Sequence, residues 1–543
     1  MPRYLSAINY QYGGGYFNFE VNRIVRLLPP LLVAGLFCML LGYFVMLPDD
    51  YENLSQSVIA TNGFANNILA AITTKDYWEV SNDYKPLMHT WYVGVIFQFY
   101  FVYPLLFYMA NYKNNQLKTL LTLISVLGAI SLLYYFSITD VSHLAERFYY
   151  MPSRFYEFAV GGIAALIYKP QDNKPFGRNF VYISYVVLLL LLFGNVDLIP
   201  SYVRLVAVVA LSCILICSKN VLENNVTGNI VIAKIGAASY SIFIWHQILL
   251  AFYRYTITSE FTIGSYAVLL LGTILMSWLS YIFIEQGVTN ALKSKTRKHR
   301  FYAMTVLIFV ALTSYSGFIY MKAGVVRDVP ELEITKQSIH RGMHAEYCDR
   351  GYQYDKDFST GKKHWLVIGN SFGRDFVNTI LESPIADSVE VSYVDILYFK
   401  NEEYNKRFAL ADRVFISSYN IEEKTISEIE INCKVNNFPT ERIVIVGEKN
   451  FGKTNGVFYM HRNSPSYYAQ RTKVDMSYLE KNKKFSSLYG KRYLDLFSLV
   501  IDEKGTVPVF TPDKRFISQD CKHFCKGGAL YFSQLIDWSK YLD

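Results

Sequence analysis

Lys293-Ser294-Lys295-Thr296-Arg297-Lys298-His299-Arg300 runs directly into the apolar stretch Phe301–Met321, FYAMTVLIFVALTSYSGFIYM. A charge-free run of this length matches the roughly 20 residues a helix needs to cross the hydrocarbon core. The basic cluster beside it sets an orientation, because Lys and Arg next to a span stay on the cytoplasmic side. The span therefore leads outward, and the chain after Met321 lies outside.

Upstream, the same texture repeats. Leu27–Leu47, Trp91–Ala110, Leu117–Phe136, Phe180–Gly194, Ile199–Cys217, Ser239–Tyr253 and Ile263–Ile284 are apolar runs separated by short polar breaks, with a softer one at Tyr156–Tyr168. A buried helix of a soluble protein accounts for one such run, not for the series. Residues 1–323 are therefore expected to form a polytopic α-helical membrane domain. Lys113 and the loop with Lys169, Lys174 and Arg178 fall on the inner side by the same count, as do Arg23 and Arg26. That leaves the segment between Asp49-Asp50 and Trp91 with both ends outside. Its middle, Leu54–Ile72, is weakly apolar and carries Asn62, Asn66 and Asn67. It reads as a re-entrant or interfacial helix, and polar chain at membrane depth is tolerated only where it lines a cavity.

Downstream, charge returns. Short β-branched runs at Trp365–Gly369, Val389–Ile396, Val414–Ser417 and Ile443–Gly447 alternate with polar stretches. They read as buried strands of an α/β domain with a parallel sheet, residues 324–543, with a boundary near Gly324–Pro330. Composition fits this division. Of 543 residues 52% are hydrophobic and only 18% charged, against a typical quarter. That excludes a disordered chain and a small disulfide scaffold, while a mean hydropathy of +0.16 is low for membrane protein throughout. The net charge of +8 records orientation rather than a nucleic-acid partner, and none is expected.

Of seven cysteines, Cys38, Cys213 and Cys217 lie in spans. Cys348, Cys433, Cys521 and Cys525 fall outside, where an even number suits disulfides whose pairing stays open. Cys521, His523 and Cys525 lack the spacing of common zinc motifs, so no metal is expected.

The chemistry concentrates downstream. His364-Trp365-Leu366-Val367-Ile368-Gly369-Asn370-Ser371-Phe372-Gly373 is a strand ending in Gly-x-Ser. A Ser at the carboxyl end of a parallel strand, before a helix, points into the sheet crevice, where backbone N–H groups stabilise an oxyanion. Near the other end stands Asp520-Cys521-Lys522-His523. An Asp three residues before a His orients the imidazole, which then deprotonates Ser371.

This pairing resembles the SGNH (GDSL-like) hydrolases, a flavodoxin-like three-layer α/β fold. Ser371 sits in that family's first block and Asp520 with His523 in its last; Asn370 stands where the family usually has Asp. The resemblance implies an oxyanion donor, with Gly369, Asn420 and Asn450 as candidates. Residues upstream resemble a second family. Phe19–Pro29 with Arg23 and Arg26, Pro86-Leu87-Met88-His89-Thr90-Trp91 continuing to Gln98-Phe99-Tyr100, Pro152–Glu157 with Gly161, Ser239–His246, and Ser280-Tyr281 with Glu285 are similar to successive segments of acyltransferase-3 proteins. Ile96 stands where that family has Glu. Its opening helix, with a basic residue and a His, has no counterpart here, so truncation at the N-terminus is expected.

Ionisable groups inside a bilayer are functional candidates by default. These are His89, Arg154, Glu157 and His246, with Arg23 and Arg26. A structural Arg154–Glu157 pair across one helical turn is the competing reading, as is an interface anchor for His246. The two resemblances together imply an O-acyltransferase of the bacterial cytoplasmic (inner) membrane, with its C-terminal domain in the periplasm. It would move an acyl group, acetyl foremost, from a cytoplasmic donor such as acetyl-CoA across the membrane to Ser371, and then to a hydroxyl of lipopolysaccharide O-antigen or a similar glycan. No bound cofactor is expected; the partners are membrane lipid, acyl donor and glycan acceptor. The rival readings are an extracytoplasmic carbohydrate esterase anchored by its helices, and a transporter or inactive remnant.

Overall fold

The structure is a computed structural model and describes residues 15–73, 82–111, 115–139, 143–167, 178–194, 201–217, 230–337 and 343–542. Lys113, Lys169, Lys174 and the opening residues 1–14 lie outside these. Among the described residues, five helices are long and apolar enough to cross a membrane: Phe19–Val45, Met88–Ala110, Gln116–Ser137, Ile263–Leu292 and Thr296–Met321. Ile230–Ala237 and Ser239–Thr256, bent by 64°, make a sixth if counted as one. Three more of the apolar runs form the shorter helices Met151–Ile167, Arg178–Phe193 and Ser201–Cys217.

The first helix starts at Gly15, well before the apolar run at Leu27, and passes through Pro29 and Pro30. Proline is tolerated inside a membrane helix where neighbours satisfy the backbone groups it frees. Tyr240 Oη donates to the Leu27 carbonyl at 2.8 Å just before this break. The segment between the first and second spans folds as two helices, Pro48–Asn62 and Asn66–Thr73. Its asparagines are spent on packing. Asn66 Nδ2 donates to the Leu87 carbonyl and Thr90 Oγ1 at 2.9 and 2.8 Å. Gln98 Nε2 donates to Asn67 Oδ1 at 2.9 Å, and Asn62 Nδ2 donates to Thr313 Oγ1 at 3.0 Å. Gly94 permits the approach, since a Cβ there would sit 2.5 Å from Asn67 Oδ1.

Beyond Met321 a parallel sheet forms from β1 (Lys363–Gly369), β2 (Val389–Asp395), β3 (Arg413–Ile416), β4 (Ile443–Val446) and β6 (Tyr493–Leu494), in the order β2-β1-β3-β4-β6. β5 (Arg471–Lys473) and β7 (Thr506–Pro508) pair separately as an antiparallel ribbon. Both faces of the sheet are covered, which is why its strands read as continuous apolar runs. Trp365, Val367, Tyr393 and Phe415 pack on one face with Phe376 and Phe532 from the helices Ser371–Leu381 and Lys526–Leu535. Leu366, Ile368, Val414 and Ile445 pack on the other with Ile426, Ile429 and Cys433 from the helix Glu423–Val435.

This layering bars one of the disulfides the cysteine count leaves open, Cys433–Cys521. Cys433 belongs to one face and Cys521 to the other, so the sheet separates them. Cys348, Cys433 and Cys521 are buried thiols, Cys525 is a half-buried one, and none is oxidised to a disulfide. Burial pushes the Cys348 and Cys521 thiols well up, and Cys433 up to about 12.

The sheet is seated on one end of the helices. Leu47 is buried with Val329, Tyr459, Val509 and Phe516. The Arg327 guanidinium donates to the Tyr43 and Met46 carbonyls and, at 2.9 Å, to Tyr459 Oη. Gly324, at φ +70°, lies where a Cβ would be 1.8 Å from the Pro48 carbonyl oxygen, so only glycine fits this seam. The helix Lys295–Met321 runs from the basic cluster at its start to this seam at its end.

Candidate active site

The strand order places a topological switch between β1 and β3, the crevice where ligands bind in open parallel sheets. Ser371 opens the helix that follows β1 and is 2% exposed. Asn370 caps that helix. Its Oδ1 accepts from the Phe372 and Tyr419 N–H groups, each at 3.1 Å, and its Nδ2 donates to the Tyr419 carbonyl at 3.3 Å. An Asp could accept the first two bonds but not donate the third. The Asn thus ties the nucleophile turn to the loop after β3.

His523 Nε2 lies 2.9 Å from Ser371 Oγ, and His523 Nδ1 lies 2.6 Å from Asp520 Oδ2. Asp520 Oδ1 accepts from the Lys522 and His523 N–H groups at 2.9 and 2.8 Å and from Ser518 Oγ at 3.1 Å. The carboxylate is therefore immobilised before it orients the imidazole. Cys521 completes this loop at φ +66°, a left-handed conformation that a non-glycine residue adopts only when its surroundings enforce it. The Phe451 N–H donates to the Cys521 carbonyl at 2.8 Å and pins the loop to the chain after β4.

Behind the relay lies a pair that nothing in the linear sequence singles out. Lys449 Nζ and Asp375 Oδ2 are 3.0 Å apart, with side chains 4% and 0% exposed. Asp375 Oδ2 also accepts from the Phe524 N–H at 2.9 Å, one residue past His523. The Lys449 ammonium sits 3.5 Å from the Phe372 ring centroid. One buried ion pair thus joins the nucleophile helix, the histidine loop and the loop after β4.

The three oxyanion candidates occupy different places. A Cβ on Gly369 would stand 1.8 Å from the Ser417 carbonyl oxygen, so its identity is accounted for by the close approach of β1 to β3. Asn450 closes a turn, accepting from the Gly452 and Asp475 N–H groups at 3.2 and 3.3 Å. Asn420 is exposed at φ +49° and lines a cavity of about 470 Å³ together with Asn370 and Tyr419.

Among the helices, His89 and His246 are brought together with ring centroids 5.3 Å apart, flanked by Phe243. His246 Nδ1 is 3.2 Å from the Ile242 carbonyl oxygen. Neither nitrogen of His89 has a hydrogen-bond partner among the described residues. Arg154 pairs with Glu157 at 2.6 Å, donates to the Phe148 carbonyl at 2.8 Å and lies over the Phe148 and Trp91 rings. Arg23 lies 4.9 Å from the Phe19 and Tyr100 ring centroids, and Arg26 is exposed. Ile96 is half-buried on the same helix as Gln98.

Comparison with known proteins agrees with the helical segments. A family model described as an acyltransferase domain, acyltransferase-3, matches residues 4–282. An uncharacterised protein of Haemophilus influenzae is 23% identical over 192 residues, covering 35% of this chain and 78% of that protein. O-acetyltransferase OatA of Staphylococcus aureus is 24% identical over 319 residues, 54% of this chain and 51% of the relative. The putative O-acetyltransferase SACOL0978 of the same species is 24% identical over 288 residues, 49% and 46%. The chain spans about half the length of these staphylococcal relatives. No solved structure matches it. With the family model covering just over half of its 543 residues, the chain belongs to the acyltransferase-3 family and is an acyltransferase by class.

Proposed function

We propose that this protein is a bacterial inner-membrane O-acyltransferase with an extracytoplasmic SGNH-type domain. The helical part, residues 1–323, passes an acyl group, foremost acetyl, from a cytoplasmic thioester such as acetyl-CoA to Ser371 in residues 324–543. From there the group goes to a hydroxyl of a surface glycan such as lipopolysaccharide O-antigen. The observation that carries this reading is the Ser371–His523–Asp520 relay, with hydrogen bonds of 2.9 and 2.6 Å. The positive-inside rule supports the placement, because the basic cluster Lys293–Arg300 and the seam with the sheet lie at opposite ends of the last helix. O-acetyltransferase activity is carried by the name of OatA, a relative matched over about half its length.

The steps balance as follows. His523 Nε2 takes the proton of Ser371 Oγ as the oxygen attacks the acyl carbonyl; the donor leaves carrying that proton, and an ester forms on Ser371. The developing oxyanion is met by backbone N–H groups at the start of the Ser371–Leu381 helix, where the first turn has donors without intrahelical partners. A glycan hydroxyl then attacks the ester, gives its proton to His523, and Ser371 recovers it as the glycan ester departs. Ser371 is 2% exposed and His523 fully buried. That dryness favours transfer to a positioned hydroxyl over hydrolysis, and so favours a transferase over an anchored esterase. The test is Ser371→Ala in the full chain, with acylation of the host glycan measured. Loss of acylation is the expected result, and undiminished acylation would remove Ser371 from the chemistry.

A further inference from the structure

At the end of the last helix opposite the seam, three helices meet around a groove of about 460 Å³. The first helix lends it Pro29 and Val33, and the last lends Met304 and Ile308. The third wall is the span Ile263–Leu292, which passes through a π turn at Tyr281–Glu285 and presents Phe283 and Gly287. Such turns are rare and gather at functional sites. Ile263–Leu292 and Thr296–Met321 are the two least buried of the five long spans. Phe283 and Met304 are 72% and 54% exposed. The groove therefore opens sideways, toward the bilayer.

Its charge is confined to one end. Arg297 and Arg300 are exposed, lie three residues apart and line the groove where the last helix starts. Met304 and Ile308 continue that face at steps of four. From Arg297 to Ile308 the helix rises about 16 Å. Among the described residues no acidic side chain lines the groove. Two other basic residues of the cluster are engaged elsewhere. Lys298 Nζ lies 5.5 Å from the Tyr302 ring centroid, and Lys293 Nζ donates to Asn290 Oδ1 at 3.1 Å. The charge rule sets the arginine end at the cytoplasmic interface, where anionic headgroups concentrate.

We propose that this groove binds one anionic phospholipid of the cytoplasmic leaflet, its phosphate on Arg297 and Arg300 and an acyl chain along Met304 and Ile308. The planar guanidinium fork matches phosphate oxygens, and the apolar walls match the chain. A zwitterionic lipid carries the same phosphate with a cation that the two arginines repel. Acetyl-CoA also carries phosphates, but its two-carbon acyl group leaves the apolar length of the groove empty. Gly287 keeps that length open, since a Cβ there meets no atom within 4 Å. The bound lipid bridges the first and last helices, and so braces the helix that carries the sheet.

The test titrates the full chain in mild detergent, at about 0.15 M salt, with dioleoyl phosphatidylglycerol or dioleoyl phosphatidylcholine. Native mass spectrometry counts the adducts. One phosphatidylglycerol is expected to bind saturably, with a Kd roughly tenfold or more below that of phosphatidylcholine. Arg297→Gln with Arg300→Gln should raise that Kd roughly tenfold or more, while Lys293, Lys295 and Lys298 remain to hold the orientation. Lys293→Gln with Lys298→Gln removes the same charge off the groove and should change the Kd less than about threefold. Gly287→Leu enters open space and favours helix. It should fold, fill the groove and weaken binding roughly tenfold with both arginines in place. Thermal unfolding without added lipid confirms that each variant is folded. Equal losses in the two charge variants, a Kd unchanged by Gly287→Leu, phosphatidylcholine binding as tight as phosphatidylglycerol, or displacement of the bound lipid by acetyl-CoA overturns the proposal.

Discussion

His523 is fully buried and His89 half-buried, and they differ in what surrounds them. Both nitrogens of His523 are engaged at 2.9 and 2.6 Å, and the Asp520 behind it accepts three further hydrogen bonds. His89 has neither nitrogen partnered among the described residues and touches the rings of Phe243 and His246 instead. The sheet part holds a histidine hydrogen-bonded at both nitrogens, while the helical part holds one packed among rings.

The contrast breaks most sharply at the relay. Ser371→Ala or His523→Ala should cut glycan acylation on the order of 10⁶-fold, measured as acyl groups per glycan in membranes. Asp520→Asn should keep the fold and lose about 10⁴-fold in rate, because the imidazole is then held in the wrong tautomer. If all three variants acylate normally, the sheet part has no catalytic role.

Next in size is the buried ion pair. Lys449→Met strands the Asp375 carboxylate at 0% exposure and should destabilise the sheet part by about 3–5 kcal/mol, read as a fall in its thermal midpoint. Lys449→Met with Asp375→Leu should recover most of that stability. In contrast, His89→Phe exchanges one half-buried aromatic ring for another and should leave stability within about 1 kcal/mol of the parent. A large loss there would mean that His89 is structural.

The smallest effect is acid sensitivity at the sheet edge. Burial opposes ionisation of Glu390, yet hydrogen bonds from Thr360 and Ser359 hold its carboxyl down at about 2, against an ordinary value of 4.5. A lowered value contributes stability that is fully present above pH 4.5 and lost as pH falls through about 2. Glu390→Gln should flatten the pH dependence of the thermal midpoint in that window, lowering it at neutral pH and converging on the parent as pH falls toward 2.

The sequence made some of this legible for physical reasons. Four strands of the sheet are β-branched runs buried on both faces, a pattern that survives without context. The fifth, Tyr493–Leu494, is two residues long and carries no periodicity. Ser371, Asp520 and His523 were readable because a strand–Ser–helix turn and an Asp-x-x-His spacing are local patterns. Lys449 and Asp375 were not, because their meaning arises only when one helix and two loops meet. The cysteine count left every pairing open, and only the fold shows that Cys433 and Cys521 lie on opposite faces of the sheet. The amide nitrogens of Asn62, Asn66 and Asn67 hydrogen-bond to neighbouring segments, a use that spacing does not reveal. The first helix began before its apolar run because Arg23 and Glu20 lie along a helix that neighbouring aromatics and burial sustain.

The most direct measurement is peptide mass mapping of the full chain in sealed membrane vesicles, supplied with acetyl-CoA on the cytoplasmic side and quenched in acid. An acetyl adduct on Ser371, absent in His523→Ala, is the predicted result. A glycan that gains acetyl groups in the same vesicles while Ser371 carries none would contradict the account.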